Sequence, residues 1–511
     1  MPLPGNGLSW PPVQLKTITP ALNEWSAWYE GTPEALTNVY VNYQRDIMHP
    51  DRHPGGLRGV IQRMWWGRQP AQPAERPDQS HLPIAADLAR ASADLLYSEV
   101  PMVRVESPAT QAHIDESLPA IHAALATGAE LGAALGGRYH RVTWDATVSK
   151  RSFLTTVDAD AALPEFRWGR LVAVTFWHRI AGDNAGTQVW RHLERHELSP
   201  DGLGLIFHGL YQGTADNLGV ARPLEDQPET KGLVGGVDEE GALTEGRTPG
   251  LAVEYIPNQM PQRRWRKDPV GRHLGRSDYD GIEPLMDNLD EAFSSLMRDI
   301  RIGKGRIIVP EFMLRSNGPG AGTTFDIDRT VYDALSIPDP ESGAPQILPQ
   351  QFAIRVEEHL AACQEITRQI VHTAGYSSQT FSDNVDAAGA MTATEVRARE
   401  RRTFRTRDRK VRNETPAVSR LLEKMLSIDS KVFEVTGLDL SKPITIEFPD
   451  NTEDPPLVMA QTAQALSVAR AASIETLVKM QHPDWTDEQV KDERQAIIDD
   501  QGTVADPFAL R

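Results

Sequence analysis

Ser277-Asp-Tyr-Asp-Gly-Ile-Glu-Pro-Leu-Met-Asp-Asn-Leu-Asp-Glu-Ala-Phe-Ser-Ser-Leu-Met-Arg-Asp-Ile-Arg-Ile-Gly-Lys-Gly-Arg306 is the stretch on which the reading of the fold turns. Asp280 can cap a helix that opens at Ile282. Pro284 suits its first turn, where an amide proton has no partner to lose. Leu285, Met286, Leu289, Phe293, Leu296, Met297 and Ile300 recur at steps of three and four, which places them on one helical face. Gly303 stands where a left-handed C-terminal cap is needed. About 21 residues at 1.5 Å each make a rod of roughly 30 Å.

A second rod follows. Pro349 precedes it, Gly375 ends it, and Phe352, Val356, Leu360, Cys363, Ile366 and Ile370 form its stripe. Between the rods, residues 304–348 hold one short β-branched run, Arg306–Val309, then Gly318, Gly320, Gly322 and several prolines. The pattern predicts two antiparallel helices with a small insert at their far end. Residues 376–391 are small and polar and predict a flexible loop. Thr392-Ala-Thr-Glu395 has the spacing of a capping box. A long helix should run from there to about Ser427, on a stripe of Val396, Phe404, Val411, Val418, Leu421, Leu422 and Met425. Pro416 removes a backbone donor inside it, so a kink is predicted near residues 412–416.

Outward from this centre the texture varies. Residues 1–60 read as aromatic and loop-rich. Helices are predicted over 81–97, with Pro83 in the first turn, and over 111–135. Residues 138–224 are rich in β-branched and aromatic runs such as Leu171–Trp177, with a turn cluster at 182–186. They predict a mostly antiparallel β subdomain. Residues 225–250 read as loop, Ile444–Phe448 as a short strand, and 455–499 as helical with a turn at 482–484. The chain is thus α+β.

Composition bounds what such a chain does. Its 511 residues are 40% hydrophobic and 24% charged, an ordinary globular balance with room for several structural units. The net charge of −18 disfavours a protein that grips a polyanion over most of its surface, though not one past which DNA slides. One cysteine, Cys363, permits neither an internal disulfide nor a thiolate metal site, and reads as a small apolar filler. No run of 18 apolar residues predicts a membrane span, and residues 1–10 do not read as a secretory signal.

Three segments invite chemistry. Residues 392–412 carry nine bases against three acids, a net of +6. A DNA-facing belt is one reading. A seam between subunits or a solvated face is the favoured one, because guanidinium forks suit bidentate carboxylate contacts and only Phe404 could stack on a base. His192-Leu-Glu-Arg-His196, with Glu197, raises the alternative of a metal-dependent hydrolase. The segment reads better as a strand, and the H-E-x-x-H order is absent, so no metal is expected. Ile302-Gly-Lys-Gly-Arg306 lacks the Ser or Thr that a phosphate loop needs after its lysine, and it follows a helix rather than a strand. No catalytic residue and no cofactor are expected.

The stretch quoted first resembles the portal proteins of long-tailed phages of actinobacteria. So do Thr392-Ala-Thr-Glu-Val-Arg-Ala-Arg-Glu-Arg-Arg402, His81-Leu-Pro-Ile-Ala-Ala-Asp-Leu-Ala-Arg90 and Thr476-Leu-Val-Lys-Met-Gln-His-Pro-Asp-Trp485, in the same order along the chain. The resemblance implies a non-enzymatic virion subunit forming a dodecameric ring at one capsid vertex. Its mostly helical wing would take residues 1–277, with a β-rich subdomain at about 138–224, and 392–451. The stem would be 278–303 and 349–375, a small α/β clip 304–348, the tunnel loop 376–391 and the crown 452–511. Implied partners are other copies of the chain, the terminase large subunit, a head-to-tail adaptor, the major capsid protein, a scaffold protein and double-stranded DNA in transit; no membrane is implied. Ser377, Ser378, Gln379, Ser382 and Asn384 would face DNA. Arg397, Arg401, Arg402, Arg405 and Arg409 would lie at the subunit seam. Another structural virion protein remains the alternative within particles.

Overall fold

A computed structural model describes residues 3–47, 80–180, 188–302, 306–308, 315–316, 323–324, 348–350, 355–381, 393–449, 456–482, 485 and 487–502. The 182–186 turn, Gly303, Thr392 and most of the 304–348 insert lie outside these.

Two helices, α1 (Thr19–Glu30) and α2 (Pro33–Ile47), occupy the region read as loop. Gly31-Thr-Pro33 is punctuation of another kind. Gly31 is the left-handed cap of α1 (φ 64°), and Pro33 is the first residue of α2. Trp25 and Trp28 are completely buried, so packing outweighs their indifferent helix propensity. Helix α3 (Ile84–Tyr97) begins one residue after Pro83, which sits at its cap. A short strand β1 (Met102–Arg104) leads to α4 (Pro108–Leu135), whose first turn is capped by the Ser107 hydroxyl. By length and composition α4 could cross a membrane; here Ile114, Ile121, Leu125 and Ala129 are buried in a core shared with α3.

Strands β2 (Gly137–Thr143) and β3 (Phe153–Asp158) pair antiparallel. Then β4 (Ala162–Arg167), β5 (Arg170–Ile180), β6 (Val189–Leu198), β7 (Gly204–Thr214) and β8 (Asn217–Arg222) form an antiparallel meander in sequence order. This is the antiparallel β unit the alternating runs foretell. Strand β9 (Val253–Pro257) returns to β2, completing a three-stranded sheet.

The stem-like pair follows. Helix α5 (Glu283–Ile302) carries the expected stripe. Beyond it, β10 (Arg306–Ile308) precedes two short paired segments, β11 (Arg315–Ser316) and β12 (Thr323–Thr324). Strand β13 (Leu348–Gln350) pairs antiparallel with β10. Helix α6 (Val356–Ala374) therefore starts later than Pro349 suggests, because residues 348–350 are spent on a strand. Its end has the expected form, with Gly375 at φ 106°. Along the pair, burial changes steeply. Met286, Leu289, Ile370 and Val371 are buried in a core with the tryptophans of α1, whereas Ile300, Val356 and Leu360 are 40–45% exposed. Cys363 packs in that same core as an apolar filler.

Helix α7 (Ala393–Val432) runs unbroken through Pro416 and ends five residues past the expected Ser427. The carbonyl of Arg412 loses its usual donor there; one residue earlier the Thr415 hydroxyl donates to the Val411 carbonyl (3.0 Å). The C-terminal half of α7 buries Val418, Leu421, Leu422 and Met425 against α3 and α4. Strand β14 (Thr445–Glu447) pairs with β1. Three helices close the described chain: α8 (Pro456–Val468), α9 (Ile474–Gln481) and α10 (Asp487–Gly502).

Candidate functional site

The turn after α6 meets the basic half of α7, and burial sorts the residues there. Tyr376, read from sequence as the start of a flexible loop, is wholly buried. Its hydroxyl donates to Asp278 Oδ2 at 2.6 Å. Lys410 Nζ donates to the same oxygen at 2.7 Å, to Tyr376 Oη at 3.0 Å, and to Ser92 Oγ. Asp278 Oδ1 accepts from Asn258 Nδ2 (2.8 Å) and Gln259 Nε2 (2.6 Å). One carboxylate thus gathers four side-chain donors from three parts of the chain. Burial pushes Lys410 down, and the Asp278 carboxylate opposes that shift.

One turn on, Glu414 forms a second buried centre. Arg138 of β2 reaches it with both terminal guanidinium nitrogens (2.9 and 2.7 Å), and Tyr97 Oη donates to it at 2.9 Å. Arg138 Nε also donates to His140 Nε2 at 2.8 Å. Burial, with Arg138 beside it, holds His140 well below its usual range. Gly128 of α4 makes room for these rings: a Cβ there would lie 2.5 Å from the His140 ring. Thr403 and Thr406 complete the inward face; their hydroxyls bind the Ser377 amide (2.8 Å) and the Gly375 carbonyl (2.7 Å). Arg407 is buried too and donates to the carbonyls of Leu95 (2.8 Å) and Pro449.

The outward face differs. Arg401, Arg402, Arg405 and Arg409 are exposed. Together with Arg276 and Arg368 they line a recess of about 720 Å³ between the end of α6 and the first half of α7. Ser377, Ser378, His372 and Gln259 complete much of the wall, and no acidic side chain does. Arg368 is held by Glu365 of its own helix (2.8 and 2.7 Å), Arg276 donates to Gln259 Oε1 (2.6 Å), and Arg402 to His372 Nε2 (2.7 Å). Arg401, Arg405 and Arg409 have no hydrogen bond or ion pair among the described residues.

Residues 254–502 match a family model described as "Phage portal protein, SPP1 Gp6-like". Over that span, just under half of the chain, the sequence belongs to the phage portal family. The match takes in β9, both stem-like helices, the recess, α7 and the three C-terminal helices. No curated protein matches. A chain of the solved structure titled "Neck of native GTA particle computed with C12 symmetry" aligns over 78% of this chain and 90% of its own, at 12% identity. Its TM-score of 0.42 is too low to argue from.

Within this portal-family span, the residues singled out from sequence separate. Ser377 and Ser378 share the recess with Arg401, Arg402, Arg405 and Arg409. Gln379 lies in a single helical turn, Ser378–Phe381, and its side chain, like that of Arg397, is outside the described residues, as are Ser382 and Asn384 entirely. Arg276 and Arg368 were not anticipated. Arg276 closes the basic stretch 263–276 and Arg368 stands alone in α6; only the fold brings them to the recess.

The histidines of the metal alternative sit on strand β6, as the strand reading expects. Residues 192, 194 and 196 share one face, and Glu197 lies on the other, accepting a hydrogen bond from Arg195 Nε at 2.8 Å. His192 Nε2 lies 3.1 Å from His208 Nδ1 across the sheet, and His196 Nε2 2.6 Å from Glu194. The trio His192, His196 and Glu197 cannot converge on one ion. Among the described residues no three metal-ligating side chains do so. Burial, with other histidines adding to it, brings His192 down to about 3. Burial brings His208 down to about 4.

Proposed function

We propose that this chain is the subunit of a dodecameric portal ring at one vertex of a phage head, a virion component that acts without catalysis. Double-stranded DNA would pass through the ring during packaging, be retained, and leave on ejection. Helices α5 and α6 would form the stem, 304–348 the clip, 376–391 the tunnel loop and the segment from 452 the crown. The clip would dock the terminase large subunit during packaging and the head-to-tail adaptor afterwards. The major capsid and scaffold proteins would meet the body of the wing.

The observation that carries this reading is the family match over 254–502. The stem supplies a physical reason to expect neighbours: its apolar stripe continues onto Ile300, Val356 and Leu360, which the subunit alone leaves exposed. The charge of −18 suits a passage that must not hold DNA tightly, since many phosphate contacts would make a salt-dependent trap. Seam contacts would come from Arg397, Arg401, Arg402, Arg405 and Arg409. DNA-facing contacts would come from Ser377, Ser378, Gln379, Ser382 and Asn384, while Tyr376 beside them is spent inside the subunit.

Negative-stain imaging of the purified chain tests the class. Rings with a central hole are the expected result; compact particles without a hole would contradict it. Deleting residues 379–388 should leave the rings intact and impair DNA packaging or retention, while loss of rings on that deletion would make the loop structural.

A further inference from the structure

We infer that the six-arginine recess receives the acidic segment 225–245 of a second copy of this chain. The inference rests on the ring reading above and names the two surfaces that would meet. Arg401, Arg405 and Arg409 stand four residues apart on one helical face, where like charges repel. They have no partner among the described residues, and the recess wall contains no acid. All six of its cations are arginines. Their rigid forks suit paired hydrogen bonds to carboxylates better than lysine ammoniums would.

The chain carries a matching surface. Residues 225–245 hold seven acids and one base, Lys231, a net of −6 against the +6 of residues 392–412. Glu225, Asp226, Glu239, Glu240 and Glu245 are exposed and have no side-chain hydrogen bond or ion pair among the described residues. The backbone presenting them is already ordered. Asp238 Oδ1 accepts the amides of Glu240 (3.0 Å) and Ala242 (2.9 Å), and the His208 amide of β7 donates to the Gly241 carbonyl (2.8 Å). A preformed turn loses little freedom on docking. No residue of 225–245 lines the recess of its own subunit. Each copy therefore offers one basic and one acidic surface at different places, the arrangement of a head-to-tail contact that closes into a ring. Nucleic acid is the less favoured occupant. Tyr376, the aromatic residue in the wall, is buried, and the chain as a whole repels a polyanion.

Two charge-reversed variants test the pairing. One carries Arg401→Glu, Arg405→Glu and Arg409→Glu; the other carries Glu225→Lys, Glu239→Lys and Glu240→Lys. Thermal unfolding confirms that each subunit folds, and native mass spectrometry reads assembly. Each variant alone should need at least about tenfold more protein than wild type to assemble, the loss expected when a few charge-assisted contacts become repulsive. An equimolar mixture should assemble like wild type, because every junction in an alternating ring is again matched. If the wild type forms no ring, the ring reading falls and this inference with it. If the variants fail alone and the mixture also fails, the ring reading stands and the choice of segment is wrong. Wild-type assembly by the recess variant, with weakened binding of a short DNA duplex, would assign the recess to nucleic acid and overturn the inference.

Discussion

Lys410 and Arg409 are neighbours in sequence, carry the same charge, and live in opposite worlds. Lys410 is buried with Asp278, Tyr376 and Ser92 around its ammonium. Arg409 is exposed at the rim of a recess, with no partner among the described residues. The same division separates Arg407 from Arg405. A basic stretch that looks uniform as a charge count is, on a helix of 3.6 residues per turn, two surfaces with different duties. The inward cations fasten α7 to the body. The outward ones line the recess.

The inward face should show the largest effects. Asp278→Ala strands the Lys410 ammonium in a buried site and should cost about 3–5 kcal/mol in denaturant unfolding. A cost below about 1 kcal/mol would mean that the four-donor centre is not what holds α7. Glu414→Gln leaves Arg138 buried without its carboxylate and should lose about 2–4 kcal/mol, read in the same way.

A pH series sharpens the contrast with Lys410, whose buried charge is met by a carboxylate. His192 and His208 are buried beside one another, with folded-state values pushed down to about 3 and about 4. Between those values and the ordinary histidine value of about 6.5, the unfolded chain binds more protons than the folded one. Stability should therefore be complete above about pH 6.5 and fall as the pH drops toward 4. The slope should shrink in His208→Phe; an unchanged slope would place the titration elsewhere. The smallest effect on folding belongs to the outward face: Arg405→Ala should leave the unfolding midpoint where it is, and a large shift would show that the outward arginines also hold the subunit together.

The sequence made the helices of 282–302 and 356–374 legible because their signals agree: a proline in the first turn or a glycine at the end, and an apolar stripe between. It misplaced the start of α6 because Phe352 continues the four-residue spacing backward, whereas Leu348–Gln350 is claimed by pairing with Arg306–Ile308. It missed α1 and α2 because Gly31 and Pro33 mark a helix end and a helix start as readily as a loop. The recess was half legible. Arg401, Arg402, Arg405 and Arg409 stood out by density, and Ser377 and Ser378 by composition. Arg276 and Arg368 come from other segments, and nothing local ties either of them to residues 401–409. The sorting of Arg407 and Lys410 inward depends on Leu95, Ser92 and Asp278, more than a hundred residues away in sequence.

The most direct test of the account is the native mass of the purified chain over a range of salt concentrations. The account predicts a species near twelve subunits at low salt that gives way to smaller ones as salt screens the arginine seam. A monomer at high protein concentration across the whole range would contradict it.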